Sequence, residues 1–149
     1  MHAEYGIGQV MGVVKKDISG KMTRYVKIKA NQSTFWLPEN ELDNMAIRPL
    51  STQDQLQEAI ACLQQTPIVM PANYKERYKQ IQEARTDNSL LSIAQIIRDL
   101  RAQSRQKGNL TTSESRAWRA LKLQFSEEWA ILSGLSTEEA GSRLDQLLG

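Results

Sequence analysis

The sequence is poor in the residues that build metal sites and nucleophile sites. Its 149 residues include one cysteine, Cys62, and one histidine, His2. An internal disulfide needs two cysteines, and the usual zinc sites need several Cys or His ligands, so neither is expected. Because His2 stands at the terminus, we also expect no positioned Cys–His or Ser–His pair and no catalytic residue. A single cysteine fits the reducing cytoplasm.

Long apolar runs and phosphate-loop motifs are missing as well. No stretch approaches the roughly 18 apolar residues of a membrane span, and "MHAEYGIGQV" (1–10) lacks the basic and apolar regions of a signal peptide. "GIGQVMG" (6–12) fits neither G-x-G-x-x-G nor G-x-x-x-x-G-K-[ST]. Adjacent glutamates such as Glu127 and Glu128 face different directions on a helix, so they are poor acid–base partners. We therefore expect a protein that is not an enzyme and that needs no cofactor.

Charge is distributed unevenly along the chain. Residues 1–65 carry seven Lys/Arg and seven Asp/Glu, residues 73–122 carry eleven against five, and residues 123–149 carry one against five. A basic block between a neutral and an acidic segment favours a polyanion as the partner of the middle segment. A set of solvated helix faces is the alternative interpretation, and charge alone does not separate the two.

The first fifty residues have the pattern of β structure. "GQVMGVVKK" (8–16) and "MTRYVKIKA" (22–30) are rich in valine and isoleucine, and the second alternates with period two. "STFWLP" (33–38) and "NMAIRP" (44–49) are shorter, and each ends at a proline. Short strands separated by turns predict a small antiparallel sheet or barrel.

After Pro49 the pattern becomes helical, and we expect five helices. Serine, threonine or asparagine precedes each predicted helix, where its side chain can accept a backbone N–H. The predicted helices begin at or beside Ser51, Asn73, Ser89, Thr111 and Ser136. Large apolar residues at helical spacing predict one shared core. Its predicted members are Trp118, Leu121, Phe125 and Trp129, faced by Ile97 and Leu100, with Tyr78 packed into the helical core as well.

One predicted helix opens with an aromatic residue among cations. Tyr74 lies in its first turn, and Lys75, Arg77 and Lys79 surround it. Cations near a helix start oppose the helix dipole by a few tenths of a kcal/mol each, so we expect a compensating contact such as phosphate. Tyr74 is then a candidate for an aromatic wedge at a base step. A partly buried cap residue is the alternative.

Several short motifs occur in a fixed order along the chain. The N-terminal part contains "YGIGQV", "ISGK", "YVKIK", "LPENE" and "IRPL", and the C-terminal part contains "NYKERYKQIQEA", "IAQIIRDLRAQSRQKG" and "LTTSESRAW". Together they resemble the CarD/CdnL family of bacterial RNA polymerase-binding transcription regulators over almost the whole chain. The N-terminal part is also similar to the polymerase-interacting domain of the transcription-repair coupling factor.

The resemblance implies an α+β fold in two domains. Residues 1–50 are expected to form a Tudor-like antiparallel β module that binds the RNA polymerase β subunit. Residues 51–149 are expected to form a helical domain of about five helices that contacts promoter DNA. The family has a further apolar strand before "YGIGQV", so we expect this module to lack a strand or the sequence to start late. The protein is expected to be a cytoplasmic monomer, associated with the nucleoid through RNA polymerase, without metal, cofactor or membrane contact.

The resemblance also implies site residues. In the family a tryptophan at a helix start wedges into the minor groove at the upstream edge of the melted bubble, and Tyr74 stands at that position. Tyrosine has less stacking area, so a weaker wedge is expected. The residues expected at DNA, largely without sequence preference, are Tyr74, Lys75, Arg77, Lys79, Arg116 and Arg119. Those expected at the polymerase are Lys16, Ile18 and Trp36.

Three alternatives stay open at this point. Trp36 alternates with Phe35 and Leu37, and one of the two faces must be core, so Trp36 as a core residue is the first. The second is a protein-only adaptor whose basic helices bind an acidic protein partner. The third is a nucleic-acid chaperone that works without polymerase. DNA binding that depends on polymerase would favour the regulator over the other two functions.

Overall fold

Two compact units make up the chain, residues 1–49 and residues 50–149. The structure is a computed structural model. It describes the backbone of residues 9–18, 21–30, 33–38, 49–108 and 110–149, and the side chains of Trp36 and of residues 49–106, 108 and 110–149.

The described part of the N-terminal unit is a three-stranded antiparallel sheet. Its strands are β1 (Gln9–Ile18), β2 (Lys21–Ala30) and β3 (Ser33–Pro38), paired in the order β1-β2-β3. These strands agree closely with the segments in which the sequence predicts β structure. The predicted fourth strand, apart from its last residue, and the turn "YGIGQV" up to Gly8 lie outside the described residues.

The register of this sheet puts the three polymerase-assigned positions on one face. Lys16, Ile18 and Trp36 pair with residues of β2 that are separated from one another by even numbers of positions. Positions at even spacing on a strand share a face, and directly paired positions do too. Phe35 and Leu37 alternate with Trp36 and therefore belong to the opposite face. The β2 partners of these three positions run from Lys21 to Lys27, a distance of roughly 20 Å along the strand.

Five helices form the second unit within the described residues, so the predicted all-α region is confirmed. They are α1 (Gln53–Leu63), α2 (Tyr74–Asp87), α3 (Leu90–Lys107), α4 (Thr112–Ser133) and α5 (Thr137–Leu148). α3 packs against α1, α2 and α4, and α5 packs against α4.

Each helix begins after a side chain that accepts a backbone N–H hydrogen bond. The caps are Thr52, Asn73, Ser89, Thr111 and Ser136. Four of them agree with the predicted helix starts. The first lies one residue later than Ser51: Thr52 is the cap of α1 and forms a capping box with Gln55. Ser51 is instead buried, and its N–H donates to Glu128 Oε2 at 2.7 Å.

Residues with positive φ end the next three helices. Asn88 caps α2 with φ 55°, Gly108 caps α3 with φ 95°, and Gly134 caps α4 with φ 67°. This conformation strains residues with a Cβ, which is why glycine and asparagine are common there. The chain therefore turns sharply out of each of these helices, and the following helix folds back on the core.

The predicted helical core is largely confirmed. Ile97, Leu100, Leu121 and Phe125 are fully buried. Phe125 and Trp129 meet edge to face with ring centroids 6.0 Å apart, an arrangement that aromatic pairs favour. Trp118 differs from the prediction because it is only half-buried, and its Nε1–H donates to the carbonyl oxygen of Ile97 at 3.2 Å.

Candidate nucleic-acid surface of helices α2 and α4

The first turn of α2 presents an aromatic ring to solvent. The Asn73 side chain accepts the Lys75 N–H at 2.8 Å, which starts the helix at Tyr74. Tyr74 is 55% exposed, so its ring stands outside the core. A ring packed inside the domain cannot reach DNA, and the exposure that a wedge requires is therefore present.

Arg77 lies in the same turn of α2 but is buried. Its Nε and Nη2 donate to Glu114 Oε2 and Oε1 at 3.1 and 3.0 Å, and its Nη1 donates to the carbonyl oxygens of Pro71 and Ala72 at 3.1 and 2.7 Å. The side-chain hydrogen bond to Glu114 raises the pKa of Arg77. The expectation that Arg77 contacts DNA is corrected here, because all three of its guanidinium nitrogens are engaged inside the protein.

This ion pair joins the first turn of α2 to the first turn of α4. Glu114 lies at the start of α4, where a carboxylate is favourable to the helix dipole, and the Thr111 hydroxyl donates to its Oε1 at 3.1 Å. Sequence reasoning missed the pair because Glu114 already satisfies a local capping pattern. The one local signal is that Arg77 shares the helical stripe of Ile81 and Ala84, which are buried.

Tyr78 is 42% exposed, so the prediction that it packs in the core is wrong. Arg77, Ile81 and Ala84 form the buried stripe of α2. Tyr78 follows Arg77 directly and is rotated by about 100° from it around the helix axis. It lies one turn, about 6 Å along the axis, after Tyr74. The two tyrosines therefore share one stripe of exposed aromatic surface.

The exposed residues of α2 change from aromatic to basic to acidic around the helix axis. At about 100° per residue, the stripe of Tyr74 and Tyr78 lies next to the exposed Lys75 and Lys79. The acidic residues Glu76, Glu83 and Asp87 lie beyond the lysines, on the side away from the tyrosines. The hydroxyls of Ser89 and Ser92 donate to Asp87 and lower its pKa. The aromatic and basic residues of α2 thus form one continuous surface.

Helix α4 contributes two further exposed cations. Arg116 and Arg119 are about 60° apart, on the side of α4 away from the core. Lys122, one turn later, is committed elsewhere: its Nζ pairs with Asp145 Oδ1 at 2.5 Å and lies 4.4 Å from the ring centroid of Trp118. Neither arginine has an ion pair within the described part of the chain.

Trp36 of the N-terminal unit is 43% exposed, so the alternative in which it is a core residue is wrong. Lys16 and Ile18 occupy backbone positions on the same face of the sheet. Trp36 is therefore a candidate contact residue of that face.

The described residues contain neither a cluster of metal ligands nor a helix that could span a membrane. No group of three or more His, Cys, Asp or Glu is placed there to hold a metal ion. No helix in those ranges is both long and apolar enough to cross a membrane. Burial raises the pKa of the Cys62 thiol, and a protonated thiol is a poor nucleophile.

The sequence of the helical unit matches a known domain. A family model described as the C-terminal domain of CarD matches residues 58–145, which is more than half of the chain and reaches from α1 into α5. The family of this domain is regulatory and non-enzymatic, and the match indicates a function connected with transcription. The chain belongs to the CarD family, whose members interact with RNA polymerase.

Proposed function

We propose that this chain stabilises the open complex of transcription initiation by holding a DNA-contacting domain on RNA polymerase. Residues 1–50 form a Tudor-like module that binds the polymerase β subunit. Residues 51–149 contact promoter DNA at the upstream edge of the melted bubble. The protein acts as a cytoplasmic monomer, associated with the nucleoid through the polymerase, and catalyses no reaction.

One observation carries the proposal: an exposed aromatic residue stands on a rigidly anchored helix start. Tyr74 is exposed, while Arg77 in the same turn is fixed by hydrogen bonds to α4 and to the preceding loop. A wedge must keep its position against the restacking of bases, so the anchoring of its backbone matters as much as its ring. Tyr74 has both properties.

The exposed cations of α2 and α4 supply contacts to the DNA backbone. These residues are Lys75 and Lys79 on α2 and Arg116 and Arg119 on α4. Contacts to phosphate position a protein on the duplex and carry no sequence information. We therefore expect contact with DNA largely independent of sequence, in the minor groove at the edge of the bubble. Arg77 takes a positioning role in this proposal and does not touch DNA.

The sheet offers the polymerase a face and an edge. The face contains the positions of Lys16, Ile18 and Trp36, and β1 and β3 are the outer strands of the described sheet. Adding a strand to an exposed sheet edge is a common mode of protein recognition, in which alternate side chains give specificity. We propose that the β subunit pairs with an outer strand and contacts Trp36.

Tethering explains why weak DNA contacts suffice. Once the module is bound to polymerase, contact between the helical domain and the nearby DNA becomes intramolecular, and its effective concentration is high. A contact worth about 1.4 kcal/mol in the open complex and absent from the closed complex shifts that equilibrium tenfold. One aromatic ring and a few phosphate contacts are enough for an effect of this size.

The experiment that tests the proposal compares two charge changes on β1. We expect Lys16→Glu combined with Ile18→Ala to abolish capture of the isolated β subunit and to remove the stabilisation of open complexes. Lys15→Glu is the matched control, because position 15 lies on the opposite face of the same strand. Circular dichroism verifies that both variants are folded.

Each of the remaining outcomes argues against part of the proposal. Unchanged capture by the folded double variant would reject this face as the polymerase contact. Capture of the β subunit without any effect on open complexes would favour the protein-only adaptor. Tight DNA binding in the absence of polymerase would favour a nucleic-acid chaperone.

A further inference from the structure

Two neighbouring apolar residues before α2 are the most exposed large hydrophobic side chains in the described part of the chain. Ile68 is 67% exposed and Val69 is 74% exposed. They lie in the segment 64–73 that joins α1 to α2, and we call them the exposed apolar pair. Apolar surface residues that occur singly are normal, whereas contiguous apolar patches mark interaction sites. The pair contains none of the residues assigned to DNA or to polymerase.

The backbone around the exposed apolar pair is anchored on both sides. The N–H of Ile68 donates to Asp99 Oδ1 of α3 at 3.0 Å. Met70, which follows the pair, is 5% exposed and belongs to the core. The carbonyl oxygen of Pro71 accepts a hydrogen bond from Arg77 Nη1 at 3.1 Å. The pair is therefore held outside the core by anchored neighbours, and its exposure does not come from a loose chain.

The conformational freedom of this segment is low as well. Pro67 and Pro71 enclose the pair, and a proline ring fixes φ at about −65°. Isoleucine and valine are branched at Cβ, which restricts χ1. A contact with these side chains therefore costs less conformational entropy than a contact with long flexible side chains, so the pair is pre-organised for binding.

The exposed apolar pair is continuous with the proposed DNA surface. Arg77, which holds the segment at Pro71, also fixes the start of α2, where Tyr74 stands. Val69 and Tyr74 are five positions apart, which is at most about 18 Å. The grooves of B-DNA are about 6 and 12 Å wide, so a duplex whose minor groove holds Tyr74 extends over this distance. A DNA partner that reaches Tyr74 therefore also comes within reach of the pair, a step that rests on the proposed function.

The charge of the segment is compatible with DNA. Residues 64–74 include no charged side chain, so they contain no carboxylate that would repel phosphate. Asp99, which accepts the N–H of the first residue of the pair, is 13% exposed, and its Oδ1 also accepts Arg98 Nε at 2.9 Å. Its charge is thus compensated within the protein. The next charged residue along the chain is the exposed cation Lys75.

We propose that the exposed apolar pair covers bases at the upstream edge of the bubble, beside Tyr74. Proteins that bind the minor groove insert apolar side chains such as isoleucine between base steps and hold those steps unstacked. Melting leaves the last base pair of the duplex with one face that has lost its stacking partner. Burying that face against Ile68 and Val69 removes apolar surface from water in the open complex only, which favours that complex. Neither side chain has a hydrogen-bonding group, so the contact selects no sequence.

A matched pair of isoleucine substitutions tests the proposal. We expect Ile68→Ala to make open complexes dissociate at least about tenfold faster, because each buried methylene group that is lost corresponds to roughly fourfold. Ile131→Ala is the control, since this side chain is 54% exposed and lies about 25 Å along α4 from Glu114. It should leave dissociation within about twofold of the wild type, and both variants should keep the wild-type Tm.

Val69→Thr separates apolar contact from shape. Threonine has almost the shape of valine but carries a hydroxyl in place of a methyl group, so open complexes should dissociate roughly threefold to fourfold faster. Equal dissociation for the wild type, Ile68→Ala and Val69→Thr overturns the proposal. If Tyr74→Ala still speeds dissociation in that case, the proposed function stands and the role of the pair alone is rejected.

A photo-crosslinking amino acid at position 69 identifies the partner directly. Val69 is replaced by p-benzoylphenylalanine, and complexes of polymerase with promoter DNA are irradiated. Crosslinks to DNA at the upstream edge of the bubble support the proposal, whereas crosslinks to a polymerase subunit alone, or none at all, overturn it. The same amino acid at position 131 is the control and should give no crosslink to DNA. This readout does not depend on the lifetime of open complexes, so it decides about the pair even if the chain fails to stabilise them.

Discussion

Arg77 and Glu114 stand 37 residues apart in the sequence and form a buried ion pair with two parallel hydrogen bonds, of 3.1 and 3.0 Å. The pair clamps the start of α2 onto the start of α4. Because Arg77 also holds the carbonyl oxygens of the loop before α2, it fixes the direction from which the chain enters that helix. The position of the Tyr74 ring thus depends on Arg77, which is itself buried.

Removing one partner of this pair should destabilise the helical unit strongly. An uncompensated buried charge remains in Arg77→Ala and in Glu114→Ala, so we expect each to lower the free energy of unfolding by about 3–5 kcal/mol. The double variant leaves no unpaired charge and should lose less than the sum, with a coupling of about 0.5–3 kcal/mol. Urea unfolding of the four proteins measures the cycle. Additive losses would contradict the pairing.

Truncation of a core aromatic gives a second test of the packing. Trp129 is 6% exposed and packs edge to face on Phe125, so Trp129→Ala should lower the free energy of unfolding by about 3–5 kcal/mol. Leu123 on the same helix is exposed, and Leu123→Ala should stay within about 0.5 kcal/mol of the wild type. Similar unfolding curves for the two variants would show that the burial assigned to Trp129 is incorrect.

Features set by local chemistry were predictable from the sequence. A helix start needs only a side-chain oxygen next to free N–H groups, and Asn73, Thr111 and Ser136 provide it within their own turns. The first helix shows where this rule fails. Ser51 and Thr52 are both good caps. Thr52 caps the helix in the structure, whereas the N–H of Ser51 donates to Glu128, which is 77 residues away.

The candidate site was only partly predictable, because it also depends on contacts between residues that are far apart in the sequence. The exposure of Tyr74 follows from its place at a helix start, and it was expected. Arg77 was expected at DNA and Tyr78 in the core, because tyrosine is the more hydrophobic of the two. The structure shows the reverse: Arg77 is buried and Tyr78 is exposed. A buried arginine needs a partner such as Glu114, and a single sequence does not show which distant carboxylate comes close. The buried side of α2 carries Ile81 and Ala84 together with Arg77, and the ion pair with Glu114 compensates the charge of the arginine there.

Glu127 should make stability depend on pH. Burial raises the pKa of its carboxyl above the ordinary value, so the folded state binds this proton more tightly than the unfolded state does. Stability then falls as the pH rises from the ordinary carboxyl pKa through the raised one, and the penalty is complete above that interval. We expect Glu127→Gln to raise Tm at pH 7 and to lose this advantage in acid. Glu58→Gln, at an exposed position of α1, should show no such gain.

Loss of one lysine should weaken DNA contact without changing its sequence preference. Lys79 is exposed on the basic side of α2. If it contacts one phosphate, Lys79→Ala makes the dependence of the binding constant on salt less steep: the magnitude of the slope of log K against log salt concentration falls by about one unit. The measurement compares promoter complexes with polymerase at several salt concentrations. Arg143→Ala, which removes an exposed charge from α5, should leave the slope unchanged, and equal slopes for all three proteins would remove Lys79 from the DNA surface.

Tyr74 gives the most specific test of the proposed mechanism. Because its ring is exposed, Tyr74→Ala should change the free energy of unfolding by no more than about 0.5 kcal/mol. Stacking of one base on an aromatic ring is worth about 1–3 kcal/mol, so at the lower bound open complexes should dissociate about fivefold faster. Tyr74→Trp offers a larger stacking surface and should slow dissociation below the wild-type rate. Dissociation is followed after addition of a competitor that traps free polymerase.

Tyr78→Ala is the matched control for this experiment. It removes the same side chain from the same exposed stripe, but one turn farther from the helix start, about 6 Å along the axis. A wedge at the first turn predicts a much smaller effect from this variant, whereas a general aromatic or charge effect of α2 predicts equal effects from both. If Tyr74→Ala lowers Tm markedly and leaves dissociation unchanged, Tyr74 is a structural cap and the wedge mechanism is wrong. If only Tyr74 variants alter dissociation while all variants keep their Tm, the ring itself holds the bubble open.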